Sequence, residues 1–172
     1  MIIGHLPAGY IVSSLLHPRV AWAAHVTRRT FIAAGIAGAL APDLDMLYFH
    51  LVDHRQHHHH TYFTHYPSFW AALLVLSLLA LMASRKATWA VAATIFTLNG
   101  FLHILLDTIV GDIWWFAPLD GAPFSFATVP ARYQPWWLNF LLHWSFLLEL
   151  ALVVAAAVLW RRSPPPANAT SS

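Results

Sequence analysis

The chain has no cysteine, which excludes thiol nucleophiles, disulfide staples and thiolate zinc sites, so any metal must be held by histidine, aspartate or glutamate. Charge is scarce too: 9% of the 172 residues are Asp, Glu, Lys or Arg, where about 25% is usual in a soluble domain. The start Met1-Ile2-Ile3-Gly4-His5 lacks the basic n-region of a cleavable signal peptide, so the first apolar stretch is expected to persist in the mature protein.

What is present is apolar. Hydrophobic residues make up 59% of the chain and the mean hydropathy is +0.58, values that belong in a bilayer. A crossing takes about 20 residues, so the length suits one domain: an all-α, polytopic membrane helical bundle of about five helices over residues 1–162, two of them short or kinked, with a disordered tail at 163–172. The sequence pI near 9.3 counts loop arginines that would face lipid headgroups, and no nucleic acid is expected as a partner.

The clearest apolar runs are 68–84, 87–110 and 136–160. The run from Ile2 to Leu16 is short, and the run from Thr30 to Phe49 is interrupted by Pro42, which should end or kink that helix. Ala34 with Gly38 and Gly35 with Ala39 are small pairs four apart, a spacing that lets helix backbones approach closely in lipid. The Asn168-Ala-Thr170 sequon in the tail is most simply a chance match.

The ionisable residues are segregated. Arg19, Arg28, Arg29, Arg85, Lys86, Arg161 and Arg162 fall in connections on one side, which the positive-inside rule makes cytoplasmic. Five alternating spans then place the N-terminus outside and the C-terminus inside. Asp43, Asp45, Asp53, Asp107, Asp112 and Asp120 gather toward the external face of the inner membrane, together with the histidine-rich stretch His54 to His65, and only Glu149 lies deep in a span.

Asn99, His103 and Asp107 recur at intervals of four and form a polar stripe on an apolar helix. His103 and Asp107, one turn apart, can ligate one divalent ion, or the carboxylate can orient the imidazole; the alternative is a hydrogen-bonded pair that ties helices together. Pro42-Asp43-Leu44-Asp45 adds two carboxylates after a helix break, whose mutual repulsion a cation would relieve, or of which one caps the next helix. Within the histidine run, His60 and His65 are the candidates, His60 as an outer-shell acid or base. His5 can reach the same cluster. His17 and His25 lie on the basic side, and His143 and Glu149, six residues apart, fall on different helix faces about 120° apart. Trp114, Trp115, Trp136 and Trp137 suit an interfacial belt.

Taken in order, Gly4-His5, Pro42-Asp43-Leu44-Asp45, His60 with Thr64-His65, His103 with Asp107, and the segment Trp115 to Pro118 resemble the YdjM-type family of bacterial inner-membrane metal-dependent hydrolases over most of residues 4–126. The resemblance implies a helical membrane protein whose His and Asp residues bind metal. More distantly it implies similarity to the zinc-dependent phospholipase C and P1 nuclease fold, whose members hold zinc ions between helices and hydrolyse phosphoesters. Carried over, the ligand-like positions are His5, Asp43 or Asp45, His65, His103 and Asp107. The chain departs from the pattern at Thr61, where an arginine is common, and in the spacing of His143 and Glu149.

The expected function is therefore a membrane-embedded, metal-dependent hydrolase of a small-molecule or lipid phosphoester. Zinc is the first choice of ion, and manganese or iron would also suit the donors. The competing expectation is a divalent-metal transporter or metal-capture protein with His103, Asp107, His143 and Glu149 along the ion path. A third is bis-histidine haem ligation by His103 and His143.

Overall fold

The structure is a computed structural model that describes residues 1, 3–20, 25–84, 86–119 and 121–163. Arg85, Asp120, the expected disordered tail beyond Ser163 and its sequon lie outside the described residues. The described residues form seven α-helices: α1 (His5–Leu16), α2 (Arg28–Leu40), α3 (Asp45–Leu51), α4 (Pro67–Ala83), α5 (Thr88–Asp107), α6 (Trp137–Leu141) and α7 (Ser145–Arg162). No strand occurs among them, and the one β-like contact is an isolated bridge between Ile113 and Phe124.

The all-helical expectation is met, with a helix count above the five expected. Pro42 acts as anticipated: α2 ends at Leu40, a single 3-10 turn runs from Pro42 to Leu44, and the chain continues into α3 with a bend of 54°. The apolar run 136–160, expected as one span, is broken instead at Leu142–Trp144, between α6 and α7. No proline or glycine lies there; polar side chains compete with the helical ladder. Asn139 accepts from the Arg132 and Tyr133 amides and donates to the Tyr133 and Trp136 carbonyls. His143 Nδ1 accepts from the Ser145 amide and lies 2.9 Å from its hydroxyl. His143 therefore sits at a break rather than inside a span.

α5 is the central helix, packed against α2 on one side and α4 on the other, and α1 lies against α2 and α7. The approach of α2 to α5 depends on Gly38, where a Cβ would lie 2.0 Å from the Phe96 carbonyl oxygen. Close backbone approach of this kind is how small residues stabilise helix pairs in lipid, where burial of apolar area alone gives no preference for protein over lipid contact. One apolar cluster, with Phe31, Val91 and Ile95 fully buried, fills one end of the molecule. A second, of Trp70, Ile104 and Ile113, underlies the other end.

By length and composition α5 can cross a membrane, and α2 with α3 makes a second candidate if the bent pair counts as one span. The 20 residues of α5 extend about 30 Å, the hydrocarbon thickness of a bilayer. α4 is apolar but shorter, at 17 residues. Val75, Leu76, Leu79 and Met82 on α4, and Leu147, Leu150, Val154 and Trp160 on α7, are exposed apolar side chains.

The structure also separates the charges by end. His5, Asp43 and Asp107 meet at one end, while at the other Arg28 donates to Ser163 Oγ at 2.9 Å, which brings the start of α2 to the end of α7.

Candidate metal centre

The polar end is built by four segments. α5 delivers His103 and Asp107 on one face, the 3-10 turn after α2 delivers Asp43, the loop before α4 delivers His59, His60 and His65, and the first turn of α1 delivers His5. Ligand atoms of Asp43, His65, His103 and Asp107 all lie within 4.8 Å of one another, and so do those of His59, His60 and His65; His65 belongs to both groups.

Three of the imidazoles are held by their far nitrogen. His103 Nδ1 lies 2.7 Å from the Ala39 carbonyl oxygen, to which it donates. His65 Nδ1 lies 2.7 Å from Asp45 Oδ2, and His60 Nδ1 lies 3.1 Å from the Asp112 carbonyl. These bonds leave the Nε2 atoms to face the centre. His103 Nε2 is 2.9 Å from Asp107 Oδ2 and 3.6 Å from Asp43 Oδ1; His65 Nε2 is 3.8 Å and 3.7 Å from the same two atoms, and His60 Nε2 is 3.7 Å from Asp107 Oδ2. Nε2 of both His65 and His103 is buried with no hydrogen-bond partner. A buried polar nitrogen without a partner costs about 1–3 kcal/mol. Two such atoms facing two carboxylate oxygens form a donor set that suits a divalent cation, with the outer bonds fixing ring orientation as in histidine metal sites.

Not all the sequence candidates reach the same point. Asp45 turns away: its Oδ2 accepts from His65 Nδ1 and from Thr64 Oγ1 at 2.6 Å, so it orients a histidine from behind. Asp43 is the carboxylate that faces His65 and His103. His5 stacks on His103, with ring centroids 3.6 Å apart and planes 13° apart. Its Nε2 lies 3.1 Å from Asp107 Oδ1, not aligned for a hydrogen bond, and both its ring nitrogens are buried without a partner. The Met1 ammonium pairs with the same Oδ1. The stripe on α5 divides in two: His103 and Asp107 join the centre, whereas Asn99 bonds the Ile95 carbonyl and, at 3.4 Å, Ser13 Oγ.

Sequence reasoning passed over His59 as one of a run, since the run carries no periodicity that singles out a member. Glu149, expected deep in a span, is buried with its Oε2 accepting from the Ile3 and Gly4 amides at 2.6 and 2.9 Å, an anion just before α1 that ties down the segment leading to His5 from across the chain. Gly111 was not singled out either. A Cβ there would lie 2.6 Å from His60 Cε1, so the residue leaves the space His60 occupies.

In the loop, burial pulls His60 well below the ordinary histidine range, reinforced by His59, His65 and His58 against the pull of Asp107. Burial and the same crowding lower His59 to about 4. His65 goes the other way: burial lowers it, but attraction to Asp43 and Asp45 wins and raises it to about 9. Burial and crowding thus favour the neutral forms of His59 and His60, while the neighbouring carboxylates favour the protonated form of His65.

A cavity of about 600 Å³ opens onto this centre, walled by His58, His59, His60, Asp43, Asp107 and Asp112. Its rim includes Trp136 and Phe140 and the segment around Ser125 to Val129. That segment is held down by the Phe126 and Ala127 amides on the carbonyls of Thr108 and Ile109, at 2.9 and 3.0 Å.

A family model described as YdjM inner membrane protein matches residues 1–164. No curated protein and no solved structure matches, so the comparisons add nothing to the more distant likeness to the phospholipase C and P1 nuclease fold.

Proposed function

The chain belongs to the YdjM inner membrane protein family, and from that membership and the site geometry we propose that it is a membrane-embedded, metal-dependent hydrolase acting on a phosphoester. The observation that carries this reading is the convergence of two buried, unpartnered imidazole nitrogens on two carboxylates, Asp43 and Asp107, that themselves line an open cavity. Asp43, His65, His103 and Asp107 would hold a divalent ion, zinc first by donor chemistry. Bound there, the ion supplies Lewis acidity and a water acidic enough to act as nucleophile near neutral pH.

The chain's own residues do the rest. Asp45 and the Ala39 carbonyl keep the Nδ1 protons of His65 and His103 away from the centre. His60, neutral, with Nδ1 tied to the Asp112 carbonyl and Nε2 toward Asp107, is the group able to take or return a proton at the cavity wall. The bundle is read as multi-pass, with the site and N-terminus at the external face and the C-terminus cytoplasmic. This rests on the basic residues that gather at the end opposite the site. The transport reading is weaker because two of its relay groups are engaged elsewhere: Glu149 holds the start of α1, and His143 bonds Ser145 at a helix break.

The test is elemental analysis of detergent-purified, untagged protein beside a His103→Ala, Asp107→Asn variant, followed by turnover of bis-p-nitrophenyl phosphate. Retained zinc, manganese or iron that the variant loses, with turnover that disappears alongside it, supports the proposal. Wild-type protein free of metal under chelator-free conditions, or turnover unaffected in the variant, overturns it.

A further inference from the structure

A second cavity, of about 630 Å³, shares Asp43 with the first but has a different character. It is a groove between α1, α2 and α7. At one end stand His5 and Asp43; along its length lie Ile36, Leu40, Val153 and Ala156; and Tyr10 and Trp160 close the far end with ring centroids 5.8 Å apart. From Val153 to Trp160 it follows two turns of α7, about 10 Å. Its α7 wall is made shallow by Ala156 and Ala157, and Val153, Ala157 and Trp160 are exposed along the open side. The outer face of α7 beside it is also apolar, with Leu150 and Val154 exposed. In an inner membrane protein such a face meets acyl chains rather than water.

We propose that this groove receives the alkyl chain of a membrane amphiphile whose phosphoester end lies at Asp43, so that the substrate class is a lipid or lipid-like phosphoester entering sideways between α1 and α7. The proposal rests on the hydrolase reading of the same centre and adds to it the half of the substrate that does no chemistry. Two features of the groove argue for this occupant. The groove is continuous with the candidate metal centre through His5 and Asp43, so a molecule that fills it has one end at the reacting position. Its lining is also graded from charged to apolar along a single line, which matches the polarity of an amphiphile and not of a water-soluble phosphate.

The experiment uses the full chain in lipid nanodiscs with zinc and a series of p-nitrophenyl alkyl phosphodiesters bearing methyl, butyl, octyl and dodecyl chains. Each methylene that enters the groove should raise kcat/KM about fourfold, with a plateau once the groove is full. Partition into the nanodisc also favours longer chains, so the decisive quantity is the octyl-to-methyl ratio of kcat/KM in variants. Ala156→Phe, which places a ring in the groove and excludes at least two methylenes, should lower that ratio about fifteenfold or more. Ala155→Phe, outside the groove, serves as the partition control. Equal ratios in wild type and Ala156→Phe overturn the proposal. If no ester is turned over although metal is bound, the hydrolase reading fails separately. The groove is then judged by photocrosslinking with a diazirine-bearing dodecyl phosphate: label on the 153–160 segment that Ala156→Phe removes and Ala155→Phe keeps supports alkyl-chain binding, and label that Ala156→Phe leaves unchanged refutes it.

Discussion

Asp45→Asn is the most informative single change, because the sequence offers two carboxylates and the structure gives them different tasks. Asp45 Oδ2 accepts two hydrogen bonds, from His65 Nδ1 at 2.7 Å and Thr64 Oγ1 at 2.6 Å, and the residue is 8% exposed. The amide keeps the shape and an acceptor oxygen, but loses the charge that makes such bonds roughly twice as strong. Loss of an outer partner of a metal-bound histidine costs about 10- to 100-fold in metal affinity, or about 1.4–2.7 kcal/mol. Asp43→Asn removes a donor that faces both His65 and His103, and should cost more than about 100-fold. Affinities come from competition between the protein and a chromophoric zinc chelator at fixed pH. A second readout separates the roles further. Because Asp45 helps raise His65 to about 9, the Asn variant should reach its affinity plateau at lower pH than wild type. An Asp45→Asn loss equal to that of Asp43→Asn, or an Asp43→Asn variant that binds zinc normally, refutes the division of labour.

Other consequences are as direct. Zinc held at the proposed centre would have to displace the proton on His65, so apparent affinity should rise about tenfold per pH unit between pH 6 and 8 and level off near 9, as measured by the same competition. In the metal-free protein the sign reverses: a raised histidine stabilises the fold fully below its ordinary value of 6.5 and loses that contribution as pH rises through about 9. Chelator-treated protein should therefore melt lower at pH 9 than at pH 6. Gly111→Ala pushes against His60 Cε1 and should reduce kcat at least tenfold with zinc content retained; an unchanged kcat removes His60 from the mechanism. Gly38→Ala drives a methyl into the Phe96 carbonyl and should cost about 1–3 kcal/mol in a denaturation assay in detergent.

The sequence carried those parts of the site that obey a period or a hard stereochemical rule. His103 and Asp107 share a helix face by arithmetic, and Pro42 breaks its helix because it has no amide hydrogen to give. The small residues of α2 announced close packing, and Gly38 provides it against α5. Less was legible wherever side chains decide the backbone. Asp43 sits in a 3-10 turn while Asp45 opens α3, and that change of helix type sends neighbouring carboxylates to opposite sides of His65. The break before α7 comes from Asn139 and His143 bonding to local backbone, which hydropathy does not register. His59 owes its place to the fold of a loop rather than to any spacing.

The carboxylate of Glu149 on the amides of Ile3 and Gly4 joins residues about 145 positions apart, and this has a bearing on biogenesis. The candidate metal donors are all translated by residue 107, and α1 can already pack on α2 with His5 against His103, yet the carboxylate that ties down Ile3 and Gly4 arrives only with α7, some 40 residues later. At 5–20 residues per second that interval lasts roughly two to eight seconds. During it the segment leading to His5 lacks the Glu149 carboxylate that holds its amides. Loading with the ion would then be a late event, gated by the last helix to enter, so a chain truncated before α7 should be inserted but slow to keep its metal.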